Sequence, residues 1–269
     1  MPATADQPTL AVAIRAARAA AAIVLDAGRD LGRLPSHVKV HGDVVSAADA
    51  EAESVIVATL RAAFPGDAIV GEEGGAQAGA AGSSRQWIVD PLDGTANFVH
   101  GFPYYAISIA LADGGRVTHA VVLDPVHDEL FTAVGGRGAH LNGTPLRVSS
   151  CTRLAAALVG TVFPPRKSPR LAAYLPTFNA LIAQCGGIRR AGACALDLAY
   201  VAAGRLDGFW VTSLERWDVA AGALLVEEAG GRVGDFAGGS EYLRTNEVVA
   251  AAPGVFGELR DAIVRARAA

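Results

Sequence analysis

Hydrophobic and polar positions in the first part of the chain follow a helical period. Apolar and small residues recur with helical spacing over residues 10–31 and again over residues 47–64, where Ile56, Leu60 and Phe64 share one face. The Pro65-Gly66 pair is a helix stop signal, and the apolar residues 68–70 then predict a strand. The sequence therefore predicts two helices followed by the first strand of a sheet.

Residues 87–134 change to the pattern of strands separated by turns. Apolar stretches at 87–89, 105–111, 117–123 and 129–134 predict a mostly antiparallel sheet. The pair Asn142-Gly143 predicts a hairpin, because both residues accept the positive φ angles of a type I′ turn.

The second half of the chain, from about residue 149, mixes strands with helices. The pattern predicts strands at 157–162, 207–211 and 231–235, and helices at 168–185, 195–203 and 218–229. No internal repeat and no long linker interrupts the chain. We therefore expect one domain over residues 1–269, with subdomains of about 1–148 and 149–269.

The composition is that of an ordinary globular protein without a strong charge. The chain is 51% hydrophobic and 19% charged, with a formal net charge of -4. Binding to nucleic acid or to a membrane surface needs a dense basic face, so we expect neither. Charged residues such as Arg15, Arg18 and Asp26 interrupt the apolar opening segment, which favours an amphipathic helix over a signal peptide or a membrane span.

The cysteines indicate a reducing compartment. Cys151, Cys185 and Cys194 are odd in number and have no CxxC spacing, so neither a disulfide framework nor a zinc knuckle is expected. The simplest interpretation is a cytoplasmic protein.

The densest chemical signal is the sequence Asp90-Pro91-Leu92-Asp93-Gly94-Thr95, directly after the apolar stretch 87–89. Pro91 stiffens the turn, so we expect the carboxylates of Asp90 and Asp93 to point from the end of the strand into a common space. Gly94 permits close approach of the backbone, whose amides can bind an anion. Oxygen-only ligands suit magnesium, whereas the six scattered histidines have no spacing for zinc.

Each acid also has an ordinary structural interpretation. Asp90 and Asp93 can cap amides within a turn, and Asp218 can be the N-cap of the predicted helix at 218–229. The pair Glu72-Glu73, at the end of the strand 68–70, favours a cation site, because adjacent like charges repel unless a cation or solvent separates them.

Four segments resemble the signature segments of the inositol monophosphatase family. They are DVVSAAD at 43–49, Glu72-Glu73, WIVDPLDGTANFVHGFP at 87–103 and WDVAAGALLVEEAGG at 217–231, in the family's order over nearly the whole chain. The resemblance implies an α+β fold built as a layered α/β/α/β/α sandwich. It also implies a magnesium-dependent, lithium-sensitive phosphatase that forms a homodimer and acts on a small phosphate monoester.

The resemblance further implies a role for individual residues. About two or three magnesium ions would be bound by Glu72, Asp90, the carbonyl of Leu92, Asp93 and Asp218. Thr95 and Asp49 would orient and deprotonate the attacking water, while the amides of Gly94 and Thr95 would hold the phosphate. A substrate-contacting loop would be formed by Gly192, Ala193 and Cys194.

The resemblance leaves the substrate open. Inositol 1-phosphate is the leading candidate, and Asn97-Phe98 favours it over histidinol phosphate, fructose bisphosphate and nucleotide 3′-phosphates. Val211 stands where many inositol phosphatases of the family have a glutamate that contacts ring hydroxyls. We therefore expect Val211 to lie near the substrate and the preference for inositol to be weak. Bacterial relatives also act in RNA metabolism through protein contacts, and in that second alternative the phosphatase site is ancillary.

Overall fold

The N-terminal half of the fold contains two long helices and one large sheet. The computed structural model describes residues 6–29, 36–38, 44–164 and 167–268. The elements of this half are α1 (Asp6–Gly28), β1 (Ser36–Val38), β2 (Val44–Ser46), α2 (Ala47–Ala63), β3 (Ala68–Gly71), β4 (Gly75–Gln77), β5 (Arg85–Asp93), α3 (Thr95–Val99), β6 (Ala106–Asp113), β7 (Arg116–Asp124), β8 (Glu129–Val134), β9 (Ala139–Leu141) and β10 (Thr144–Pro145).

The C-terminal half contributes a second sheet and the remaining described helices. After a short 3-10 turn, Leu154–Ala156, its elements are β11 (Leu158–Thr161), α4 (Arg170–Ile182), β12 (Gly187–Arg189), α5 (Cys194–Ala202), β13 (Gly208–Thr212), α6 (Arg216–Glu228), β14 (Arg232–Gly234), α7 (Tyr242–Thr245), β15 (Glu247–Ala251) and α8 (Pro253–Ala268).

The two large sheets differ in topology. The first has the strand order β10-β9-β8-β7-β6-β5-β3-β4, in which only the β3–β5 pair is parallel. The second has the order β12-β11-β13-β15-β14, with β11 parallel to both of its neighbours. The mostly antiparallel sheet predicted over residues 87–134 is thus confirmed, as part of a sheet that extends over residues 68–145, and β1 and β2 pair as a separate ribbon.

Three apolar clusters show how the layers stack. Trp87 and Val89 face the cluster beneath α1 and α2, whereas Ile88, between them on β5, faces a central cluster that also contains α5 and α6. On β13, Phe209 faces the central cluster, and Trp210 faces a third cluster beneath α4 and α8. Because successive strand residues point to opposite faces, both sheets are covered on both sides. The order is α/β/α/β/α, which confirms the expected sandwich.

The sequence pattern does not predict several short or weakly patterned elements. These are α3, α7, α8, β1, β2, β4, β12 and β15. The predicted helix at 168–185 was also too long, since α4 covers Arg170–Ile182. After Glu247, β15 contains only valine and alanine, which are buried on both faces of the sheet, so it lacks the alternation that marks a strand with one exposed face.

The central cluster joins the two halves of the chain. It takes Ile88 and Phe131 from the first sheet and Phe209 and Val248 from the second. On this basis we propose a single domain whose two subdomains meet near residue 148. None of the helices in the described part of the chain has both the length and the apolar character needed to cross a membrane.

The contact between α5 and α6 requires a glycine. A Cβ atom added at Gly222 of α6 would lie 2.5 Å from Cβ of Leu198 on α5. We predict that Gly222→Ala lowers the free energy of unfolding by about 1–3 kcal/mol, because the helices must separate or strain. Gly257→Ala in α8 is the matched control, because a Cβ added there would have no neighbouring atom within 4 Å. This control should raise stability by about 0.5–1 kcal/mol, since alanine favours helix.

Urea unfolding of the two variants tests this packing. Equal free energies of unfolding for Gly222→Ala and the wild-type protein would contradict the close contact between the helices.

Candidate active site

Three carboxylates from distant parts of the chain converge at the end of β5. Asp90 and Asp93 are 1% and 9% exposed, and the register between β5 and β6 shifts between them. One oxygen from each of Asp90, Asp93 and Asp218 lies within 4.8 Å of the others. The irregularity in β5 is the local feature that lets residues three apart point into the same space, as the Asp-Pro-Leu-Asp sequence predicted.

Asp218 is held in the first turn of α6. Its Oδ2 accepts a hydrogen bond from the amide of Glu215 at 2.9 Å, and the Glu215 side chain accepts one from the amide of Asp218. This reciprocal arrangement is a capping box, in which Glu215 is the N-cap and Asp218 is three residues into the helix. The alternative that Asp218 is itself the N-cap is therefore wrong.

Asp93 is fixed by the start of α5. The amide of Ala195 donates to Asp93 Oδ2 at 2.7 Å. Backbone amides at a helix start favour a negative charge. Even so, burial raises the pKa of Asp93 to about 7, with the amides of Ala195 and Cys194 acting in the opposite direction.

The negative charges of the acids in the cluster repel one another. Burial, followed by the charges of Glu72 and Asp93, raises the pKa of Asp90 well above its ordinary value. Burial and the nearby Asp93 do the same to the pKa of Asp218. Glu72 thus belongs to the electrostatic environment of the cluster. Several carboxylates in a dry space can all ionise only if positive charge lies among them.

The donor atoms fit a hard divalent cation. The converging ligand atoms are carboxylate oxygens, which magnesium prefers. Burial raises the pKa of the neighbouring Cys194 thiol well above its ordinary value, and its sulfur is not among the converging ligand atoms. The site therefore suits magnesium better than zinc.

Thr95 links α2 to the turn after β5. Its hydroxyl lies 3.2 Å from Asp49 Oδ2 and 2.9 Å from the carbonyl oxygen of Leu92, so it can donate to either oxygen. Asp49 is buried in the first turn of α2. The predicted pair is thus brought together beside the carboxylate cluster. Asp43, the first residue of segment 43–49, lies outside the described residues.

Gly94 is needed for its conformation and its close contacts. Its φ of 95° is in the left-handed region. An added Cβ would lie 3.1 Å from the carbonyl oxygen of Tyr104 and 3.2 Å from Cβ of Ala193. The residues after β5 therefore pack directly against the loop before α5.

The predicted substrate loop is anchored by Asn97. Its side-chain amide donates to the carbonyl oxygens of Tyr104 and Ala191, at 2.7 and 2.9 Å. Gly192 is partly exposed, but Ala193 and Cys194 are buried. Of these three predicted contacts, only Gly192 has appreciable accessible surface.

The structure corrects the expectation for Val211. This residue has no exposed surface, and it packs within the central apolar cluster. Its place on β13 directs the side chain into the layer of α5 and α6, so it does not form an accessible wall of the site.

Two buried acids of the site were not predicted. Glu53, one turn after Asp49 on α2, accepts hydrogen bonds from the amides of Glu73 and Gly74. Asp197 on α5 accepts a hydrogen bond from the hydroxyl of Tyr104 at 2.6 Å, and burial raises its pKa to about 7. A lone acid in the apolar run 193–202 was the available signal for Asp197. For Glu53 the signal was its four-residue spacing from Asp49.

Comparison with known proteins gives a consistent result over nearly the whole chain. A family model described as the inositol monophosphatase family matches residues 5–268. A Pseudomonas aeruginosa protein named Nus factor SuhB is 52% identical over 247 residues, which cover 91% of each chain. The Escherichia coli protein of that name is 44% identical over 248 residues, 92% of each chain.

Solved structures share the same fold. The extragenic suppressor protein suhB from Bartonella henselae has a TM-score of 0.92 at 40% identity, covering 95% of this chain and 98% of that one. The inositol monophosphatase from Anabaena has a TM-score of 0.87 at 35% identity, covering 97% of each chain.

The buried acids predict how the stability of the metal-free protein depends on pH. Asp93 and Asp197 have folded-state pKa values of about 7, whereas unfolded aspartates titrate near pH 4. The folded protein holds these protons more tightly, so their stabilisation is complete below about pH 4 and is lost as the pH rises through about 7. In a chelator, each group contributes about 2.5 kcal/mol between about pH 5 and about pH 8, so we expect the free energy of unfolding to be roughly 5 kcal/mol larger at the lower of these two pH values.

Denaturant unfolding at the two pH values measures this difference. Asp197→Asn, which keeps an acceptor for Tyr104, should reduce it. Higher stability at the alkaline pH without metal would contradict the assignment.

Proposed function

The chain belongs to the inositol monophosphatase family, and we propose that it hydrolyses a phosphate monoester of a small polyol with the help of magnesium. One observation carries the proposal: the carboxylates of Asp90, Asp93 and Asp218 converge beside the Thr95–Asp49 pair. A cation site and a proton-accepting pair are the parts that water attack on phosphorus requires.

The cation would be held by oxygen atoms at the ends of three elements. The proposed ligands are Glu72, Asp90, the carbonyl of Leu92, Asp93 and Asp218. When bound, magnesium supplies positive charge that offsets the repulsion among the acids and draws negative charge from the phosphate. The burial of Asp90 and Asp93 supports this assignment, because such charges are rarely left uncompensated inside a protein.

Thr95 and Asp49 would accept the proton that the attacking water loses. The water donates to Thr95 Oγ1 while the Thr95 hydroxyl donates to Asp49 Oδ2, which is 3.2 Å away. As the new phosphorus–oxygen bond forms, the water proton passes to Thr95 and the hydroxyl proton to Asp49. The ester phosphorus–oxygen bond breaks, and the leaving alkoxide takes up a proton from a solvent water molecule.

Phosphate binding is assigned to the amides of Gly94 and Thr95. Both residues directly follow Asp93 in the chain, and Gly94 packs against Ala193 of the loop that Asn97 anchors. Burial raises the pKa of the Cys194 thiol, which makes it a poor nucleophile, and the proposed mechanism uses direct attack by water without a phosphoenzyme.

Inositol 1-phosphate is the proposed substrate, with other small phosphate esters as competitors. The burial of Val211 removes one expected contact, and Gly192 is left as the accessible part of the proposed loop. Release of inorganic phosphate across a panel of inositol, sugar, nucleotide and histidinol phosphates tests the substrate class. A preference for any other substrate of the panel would overturn the choice of inositol.

A second candidate function rests on the names of relatives. The Pseudomonas aeruginosa and Escherichia coli proteins are named Nus factors, which favours a role in RNA metabolism through protein contacts. In that case, transcription or ribosome-assembly proteins should co-purify with the wild-type protein and with Asp93→Asn alike. Failure of both to retain such partners would remove this candidate. The homodimer and the absence of direct nucleic-acid binding stay predictions.

Two substitutions should separate metal binding from water activation. Asp93→Asn keeps the shape but removes a ligand charge, so magnesium binding and kcat should both collapse. Thr95→Ala should keep magnesium binding but lower kcat by about a hundredfold or more, because only the proton path is lost. Calorimetry with magnesium and phosphate release from inositol 1-phosphate supply the two readouts.

Asp261→Asn, on the exposed part of α8, is the control for the loss of one negative charge. Near-normal turnover of Asp93→Asn at saturating magnesium would exclude the proposed cation site. Loss of magnesium binding by Thr95→Ala, in proportion to its loss of rate, would make Thr95 a ligand instead.

A further inference from the structure

Glu53 is a buried acid that serves neither as a proposed ligand nor as a proton acceptor. It is 5% exposed on α2, one helical turn after Asp49. Its carboxylate accepts the amide of Glu73 at 2.9 Å and the amide of Gly74 at 2.6 Å, one on each oxygen. Among the described residues these two amides are its hydrogen-bond donors. A carboxylate is therefore kept in the interior to bind the backbone of one turn.

The chain around that turn is shaped to admit the carboxylate. A Cβ added at Gly71 would lie 2.4 Å from Oε2 of Glu53, and one added at Gly74 would lie 2.6 Å from Oε1. Neither glycine has a left-handed φ, so the space taken by Glu53 is what excludes a side chain. Glu53 and the two glycines thus form one packed unit.

Glu72 lies between those two glycines. It follows β3, and its charge acts on Asp90, Asp93 and Asp218. Fixing the amides of the next two residues restricts where the Glu72 carboxylate can lie. α2 also carries Asp49, which lies within hydrogen-bond distance of Thr95. One helix therefore sets the position of the proton acceptor and of the turn that bears Glu72.

We propose that Glu53 is a positioning residue, which holds the turn at residues 72–74 so that Glu72 can join Asp90, Asp93 and Asp218 around a cation. This inference rests on the proposed function. It assigns Glu53 no contact with substrate or metal, and its effect passes through the backbone of Glu73 and Gly74.

Glu53→Gln tests the inference with little change in shape. A glutamine offers one accepting oxygen, and its NH₂ group would face the N–H of the other amide, so one backbone donor loses its partner. Loss of an outer partner of a metal ligand typically weakens metal binding by roughly tenfold to a hundredfold. We expect that loss in the dissociation constant for magnesium, measured by calorimetry without substrate, while kcat at saturating magnesium falls by less than about threefold.

Glu51→Gln is the matched control, because Glu51 is exposed on the same helix. It should bind magnesium like the wild-type protein. Equal magnesium affinities for Glu53→Gln and Glu51→Gln would overturn the positioning role. If Asp93→Asn also bound magnesium normally, the proposed function itself would fail, so the two failures are distinguishable.

Hydrogen exchange keeps the inference testable if Glu53→Gln does not fold. In the metal-free wild-type protein the amides of Glu73 and Gly74 should exchange slowly, because both donate to a buried carboxylate. Exchange of both amides as fast as in an unstructured peptide would overturn the proposal.

Discussion

Mutual repulsion among buried carboxylates is the constraint on which the rest of the site depends. Asp90 and Asp93 are almost fully buried, and Asp218 places an oxygen within 4.8 Å of theirs. Burial and proximity both work against ionisation, as the raised pKa values of the three acids show. Burying several like charges without a compensating charge destabilises a fold, so stability alone does not explain this cluster. The arrangement is explained if a cation completes it.

The layered architecture holds each acid from a different direction. Asp93 is bonded to the start of α5, Asp218 belongs to the capping box of α6, and Asp49 projects from the first turn of α2. α5 and α6 lie between the two sheets, so the acids meet where these layers adjoin the end of β5. The first backbone amides of a helix have no carbonyl partner within the helix, and at α5 and α6 such amides bind and orient the side chains of the site.

Much of the site was predictable because its signals are local in sequence. Asp90, Asp93, Gly94 and Thr95 lie within six residues of one another after an apolar strand, and their chemistry follows from spacing and turn geometry. What sequence could not supply was the direction of side chains on buried strands. The position of Val211 in a family pattern suggested a substrate contact, whereas the strand directs it into the core. Glu53 and Asp197 were not predicted because their hydrogen-bond partners are distant in the sequence. Glu53 binds a backbone turn, and Asp197 binds a tyrosine.

The most direct test of a cation held by these acids is diffraction from crystals soaked in manganese, with data collected where manganese scatters anomalously. The account predicts anomalous difference density among Asp90, Asp93 and Asp218, with Glu72 adjacent, and none there in Asp93→Asn crystals of the same form. Manganese that supports phosphate release in solution yet leaves no density among these carboxylates would contradict it.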